Sequence, residues 1–283
     1  MEEINSRGGV RGGSKLSLLF EDDTSQDAVA KSAAEKLITQ DKVVMLTGEY
    51  ASSSTFPVAQ VAEQYKMPFL VSTAAADNIT QQGWKYIFRM DQPSSEFDDA
   101  LKEFMEKVAK PQSIAILFEN TLFGTSTSEA MKKWADGNQV KVVMYEPYDA
   151  GSPDYKPMLT KVKAQNPDVV YMVSYLMDAT LLMRQSKEID LNPKMFAGAA
   201  AGFSIPQFLE GAGDASEGVF SSSRWEASVT YPGAKEYYSN YQKKYNSKPS
   251  YHGAQGYAAT YVVADVLNRA KSLGPDDIVA AMK

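Results

Sequence analysis

The sequence predicts an α/β protein built of two doubly wound, Rossmann-like lobes joined by a hinge. Short apolar runs alternate with amphipathic helical stretches along the whole chain, the pattern of parallel strands covered on both faces. The alternation restarts after residue 92, so two sheets are expected rather than one. A length of 283 residues is comfortable for two lobes.

The elements follow in order. "MEEINS" reads as the last turn of a helix closed by Gly8 and Gly9. One turn is too short to be stable alone, so upstream residues are expected. Leu16–Phe20 reads as a strand ending in the acidic turn Glu21–Asp23. Residues 25–40 form a helix with Ala30, Ala33, Ala34 and Leu37 on one face, and 43–47 the next strand. Residues 54–65 are helical, with Val58, Val61, Ala62 and Tyr65 in phase, Pro57 in the first turn and Pro68 beyond the end. Strands follow at 69–72 and 86–90.

In the second lobe, helices are expected at 95–108, 125–137, 155–165 and 178–189. Strands are expected at 113–118, within 140–148, at 168–175, at 194–199 and at the start of 217–225. Two long helices, near 232–245 and 251–271, close the chain. "MDQPSSEF" (90–97) is the expected first crossing and 220–232 the return. Lobe 1 is therefore expected to hold 1–92 and 230–283, and lobe 2 residues 93–229.

Composition excludes several classes. A net charge of −6 with scattered Lys and Arg leaves no footprint for nucleic acid. Cysteine is absent, which removes disulfides, thiolate metal sites and a cysteine nucleophile. His252 is the single histidine, so a histidine metal site or a Ser–His relay would rest on it alone. No apolar run approaches the ~20 residues that span a bilayer. GxGxxG, GxxxxGK[ST] and GxSxG patterns are missing, and no cofactor or metal is expected.

Four hydroxyl residues, Ser52–Thr55, stand between a strand and a helix, at the carboxyl edge of a parallel sheet where such sheets bind ligands. A helix N-terminus there favours an anion. The next strand ends in "STAAAD" (72–77), whose small residues allow a ligand close to the backbone. For any one serine, N-capping, by Ser53 or Ser54, is the favoured explanation. The two stretches together favour a site.

From "INSRGGVRGGSKLSLLFEDD" through "TGEYASSSTFPVAQVAEQYKMPFLVS" and "PDYKPMLTKVKAQNPDVVYMVS" to "YHGAQGYAATYVVADVL", the chain resembles the periplasmic branched-chain amino acid-binding proteins, type I solute-binding proteins of ABC importers. The resemblance implies a two-lobed clamp with a ligand in the inter-lobe cleft, an extracytoplasmic or periplasmic location and an ABC permease as partner. It also implies that the family's first strand and last crossing segment lie outside this chain, leaving strand edges exposed.

By position, the resemblance assigns the ligand carboxylate to Ser52, with Ser53 beside it, and to Ala74, Ala75 and Ala76. Family members place a threonine in that loop and an acidic residue in the second lobe against the ligand's ammonium. Here the counterparts are alanines, Ala75 or Ala76 and Ala200 within "GAAAGF". A buried ammonium without an anion is costly. The expected ligand is therefore a carboxylate with an apolar or aromatic body rather than a plain α-amino acid, although Glu49 offers a possible cation partner. Phe123 and Tyr175 fall where the family places aromatic walls, and Tyr50 and Trp225 are further candidates. Ordinary core packing is the competing explanation for each. Asp178 reads as a helix cap. The chain is expected to be no enzyme. A ligand-sensing receptor domain of the same fold and a doubly wound enzyme are the alternatives.

Overall fold

Pairing decides which apolar runs become strands, because an extended segment leaves its backbone groups open without a neighbour. The computed structural model describes the chain from Met1 to Lys283, the side chain of Ala200 excepted. In chain order it forms α1 (Glu2–Ser6), α2 (Asp27–Thr39), β1 (Leu46–Gly48), α3 (Ser52–Gln64), β2 (Phe69–Val71) and β3 (Ile87–Arg89). There follow α4 (Asp99–Phe104) with a π-helical turn over Met105–Ala109, β4 (Ser113–Glu119), α5 (Leu122–Gly137), β5 (Lys141–Tyr148), α6 (Lys156–Gln165), β6 (Val169–Val173) and α7 (Leu176–Glu188). The last elements are β7 (Met195–Gly198), α8 (Ala200–Phe203), α9 (Pro206–Ala212), β8 (Val219–Ser221), α10 (Ala234–Tyr245), α11 (Tyr251–Arg269) and α12 (Pro275–Met282).

The strands make two wholly parallel sheets, one in the order β1-β2-β3 and one in the order β5-β4-β6-β7-β8. Two compact units result, residues 1–92 with 252–283, and residues 93–251. The first unit packs Leu70 of β2 against Val263, Val266 and Leu267 of α11 and Ile278 of α12. The second packs Leu117 and Met172 of the central strands against Leu159 and Leu182 of the flanking helices. Apart from Ser113 at its start, β4 is buried throughout, as is β6, as central strands covered on both faces should be.

The structure corrects several expectations. Leu16–Phe20 forms no strand and joins no sheet, and β1 pairs with β2 alone. Leu16 is buried, while Leu19 and Phe20 stand exposed. β1 starts at Leu46, three residues later than the apolar run suggested. α3 starts at Ser52, so the serines form its first turn and Pro57 lies inside the helix. A proline there has no N–H to offer the carbonyl four residues earlier. The short helices α8 and α9 and the C-terminal α12 were not anticipated. Residues 230–251, α10 included, belong to the second unit.

Candidate functional site

A helix of ordinary length leaves its first N–H groups without intrahelical acceptors, and a side chain usually takes one of them. At α3 none does. The N-cap is Ala51, and no side-chain cap bond is formed. The Ser52 Oγ instead accepts a hydrogen bond from the Ala76 N–H at 3.1 Å, tying the helix start to the loop after β2. Thr55 turns its hydroxyl back to the Ala51 carbonyl at 2.7 Å. Ser54 is fully buried, and its Oγ has no hydrogen-bond partner. Uncapped donors and the positive end of the helix dipole thus stand at the start of α3, a set suited to an anion, and the spare Ser54 hydroxyl belongs to the same first turn. The N-capping explanation for the serines fails on this geometry.

The loop after β2 is held from the other side. The Arg89 guanidinium, at the end of β3, donates to the carbonyls of Ala74 and, at 2.7 Å, Ala76. With both carbonyls occupied, the loop presents its small side chains in a fixed backbone shape. Ala74, Ala75 and Ala76 are all buried. Two further bonds, Ser72 N–H to the Gly48 carbonyl at 2.7 Å and Ala74 N–H to that of Glu49 at 3.1 Å, lock this loop to the end of β1. Glu49, just after β1, has its Oε2 buried and without a donor. Burial, with the Asp23 carboxylate second, pushes its carboxyl up to about 7. Tyr50 is exposed and meets the edge of the His252 ring at 4.8 Å. Burial lowers the imidazole of His252 to about 4.

In the second unit the strand order reverses between β4 and β6, because the chain passes from β4 to β5 on one side and returns to β6 on the other. The carboxyl ends at such a switch point form the usual crevice of a doubly wound sheet. Glu119 ends β4 there, fully buried, and its Oε1 accepts the Tyr175 N–H at 2.5 Å. The Tyr175 and Phe123 rings stack at 5.4 Å, Phe97 meets Phe123 edge-on at 5.5 Å, and the Arg224 guanidinium lies 3.7 Å over the Phe97 ring. An aromatic row capped by a cation therefore stands at this edge. Gly202 allows it, since a Cβ on that residue would fall 2.6 Å from the Ser174 carbonyl oxygen and 2.7 Å from the Tyr175 carbonyl carbon.

Of the residues singled out in the sequence, Ser52, Ala74 and Ala76 come together around the start of α3, with Ala75 between them and Ser53 half-buried beside Ser52. Phe123 and Tyr175 come together at the second edge. Tyr50 instead keeps company with His252. Trp225 packs against the hydrophobic core and the Tyr237 ring. Ala200 begins α8, and its side chain lies outside the described part of the structure. Asp178 caps nothing at α7; its carboxylate accepts the Gly151 N–H at 3.0 and 3.1 Å. Sequence reasoning missed Arg89 and Glu119. Each is a charged residue closing an apolar strand, and that is the signal which could have found them.

A family model described as periplasmic binding protein matches residues 1–283. The Leu/Ile/Val-binding protein homolog 8 of Brucella abortus is 27% identical over 297 residues, covering 100% of this chain and 73% of the relative. The branched-chain amino acid transporter substrate-binding protein LivJ from Streptococcus pneumoniae, solved with isoleucine, superposes with a TM-score of 0.89 at 23% identity, over 99% of this chain and 79% of that one. An ABC transporter solute-binding protein from Rhodopseudomonas palustris, solved with 3,4-dihydroxybenzoic acid, gives a TM-score of 0.85 at 23% identity, over 99% and 77%. These likenesses establish two type I periplasmic binding protein lobes as the fold.

Proposed function

Because the chain belongs to the periplasmic binding protein family, we propose that it is the solute-binding protein of an ABC importer and captures a small carboxylate with an apolar or aromatic body. It works outside the cytoplasm and passes its cargo to a membrane permease. The single observation that carries the ligand class is the uncapped start of α3, where the Ser52–Ala76 contact and the buried Ser54 hydroxyl leave donors for an anion. The head of the ligand sits there. In the second unit, the Phe123–Tyr175 pair offers a stacked aromatic face of the kind an apolar or aromatic body suits. No step of this function needs bond chemistry, only differential affinity for a bound state.

A second reading, a branched-chain amino acid, is favoured by one observation. Glu49 has a buried oxygen without a donor beside the same loop, where an ammonium would find it. A thermal-shift screen of the full chain against aromatic acids, short-chain carboxylates and branched-chain amino acids separates the two, since a ligand bound only by the folded state raises the melting temperature. Stabilisation by aromatic or aliphatic acids supports the first reading. Stabilisation by leucine or valine with none by simple acids replaces it with the second.

A further inference from the structure

We propose that Asp98 is a positioning residue of the second unit's aromatic row, pinning the two chain segments that carry Phe97 and Arg224 and so holding the guanidinium on the Phe97 ring. This rests on the ligand-wall reading of the row only for its functional consequence; the pinning stands on geometry inside one unit. Asp98 occupies the N-cap of α4, yet its side chain caps nothing there. It is buried. A carboxylate taken out of water without partners is costly, and here both oxygens have one. Oδ2 accepts the Tyr171 hydroxyl from the central strand β6, and Oδ1 accepts the Ser222 hydroxyl from the segment after β8. One side chain thus joins three pieces of chain that are distant in sequence.

Both pinned points adjoin the row. Phe97 precedes Asp98, and Arg224 lies two residues beyond Ser222. The Phe97 ring meets Phe123 edge-on at 5.5 Å, and the Arg224 guanidinium lies 3.7 Å over that same Phe97 ring. The stretch around Phe97 is tied down at other points too. Ser94 Oγ and Thr127 Oγ1 of α5 share a hydrogen bond at 2.9 Å, and Lys102 Nζ donates to the Ser95 carbonyl at 2.8 Å. The stretch around Arg224 reaches this anchored segment through Ser222. A cation–π contact is made only with the cation over the ring face. Without the Ser222–Asp98 bond the guanidinium is free to leave that place. On the ligand-wall reading, the consequence of the bond is a row with a fixed positive end, suited to an electron-rich body.

The test follows the Arg224 Nε–H signal by NMR in the ligand-free full chain labelled uniformly with 15N, assigned as the signal that Arg224→Lys removes. In the wild type this proton should be shifted upfield of that of the exposed Arg184, because it lies against the face of the Phe97 ring, and Phe97→Leu should abolish the shift. Ser222→Ala and Asp98→Ala should each move the signal towards its Phe97→Leu position. Ser222→Thr, which restores the hydroxyl, should keep the wild-type position. The indole N–H of Trp134, bonded to Glu106 Oε1 at 2.6 Å in the same unit, should stay in place throughout, which a general loosening would not allow. A wild-type signal without the ring shift overturns the proposal. So does a Ser222→Ala signal that keeps the wild-type position, or a Ser222→Thr signal displaced as far as that of Ser222→Ala. Should Asp98→Ala fail to fold, Ser222→Ala still decides, since it removes one hydroxyl from a half-buried residue. No ligand is involved, so failure here leaves the solute-binding reading standing, and failure of that reading leaves this result unchanged.

Discussion

Ser54 is a small expense that makes sense only if something else uses it. A buried hydroxyl without a partner costs about 1–3 kcal/mol, and the Ser54 Oγ is one. Ser54→Ala should therefore stabilise the ligand-free protein, by about 1 kcal/mol in urea titration, while weakening whatever carboxylate the thermal screen identifies. A destabilised variant with unchanged affinity would make Ser54 an ordinary packing residue. Gly202→Ala should do the reverse. Its Cβ would overlap backbone of residues 174 and 175, which cannot step aside as a side-chain tip can. A loss of about 1–3 kcal/mol is expected, read from the urea midpoint; an unchanged midpoint would show that α8 shifts freely. At this scale the sequence was half legible. The serine run and the alanine loop announced themselves because polar or small residues at strand ends have a stated physical use. Arg89 and Glu119 did not, and Asp178 was noticed only as a cap, because their partners lie in other strands and turns, and pairing across a fold leaves no mark in local spacing.

Elements were legible where periodicity was strong and long. α2, α5, α6, α7 and α11 stand close to where apolar spacing put them. Helices α9 and α12 were overlooked although each begins with a proline at its start, and α12 carries Asp276 and Asp277 in its first turn, all helix-start signals. Leu16–Phe20 shows the opposite failure. Its composition is that of a strand, yet strand formation depends on a hydrogen-bonding neighbour, which composition does not encode. Hydrogen exchange should separate the two cases. The amides of residues 17–20 should exchange quickly, whereas those of β6, buried throughout and paired on both sides, should exchange only by large-scale opening. Equal protection in the two segments would mean that residues 17–20 are paired in solution.

For the molecule as a whole, buried titrating groups fix how stability varies with pH. Glu49 and Glu119 have carboxyls raised by folding from 4.5 to about 7 and about 8. Such groups add stability that is present below their unfolded value and lost as pH rises through the folded one. His252 is lowered from 6.5 to about 4, so its contribution is present above 6.5 and lost as pH falls towards 4. Between these windows the terms oppose each other; above 6.5 only the carboxyls act. The melting temperature should therefore fall from about pH 6.5 to about pH 8.5, reflecting at most roughly 3 kcal/mol, and the double variant Glu49→Gln, Glu119→Gln should flatten the curve. A melting temperature that climbs over that range would contradict the burial assigned to both carboxyls.

The measurement that bears most directly on the account is a calorimetric titration of the most stabilising acid from the thermal screen beside its methyl ester. The ester keeps the body of the ligand and removes the anion. If the start of α3 holds a carboxylate, the acid binds and the ester loses at least about a hundredfold in affinity, about 2.7 kcal/mol. An ester that binds as tightly as the acid would contradict it.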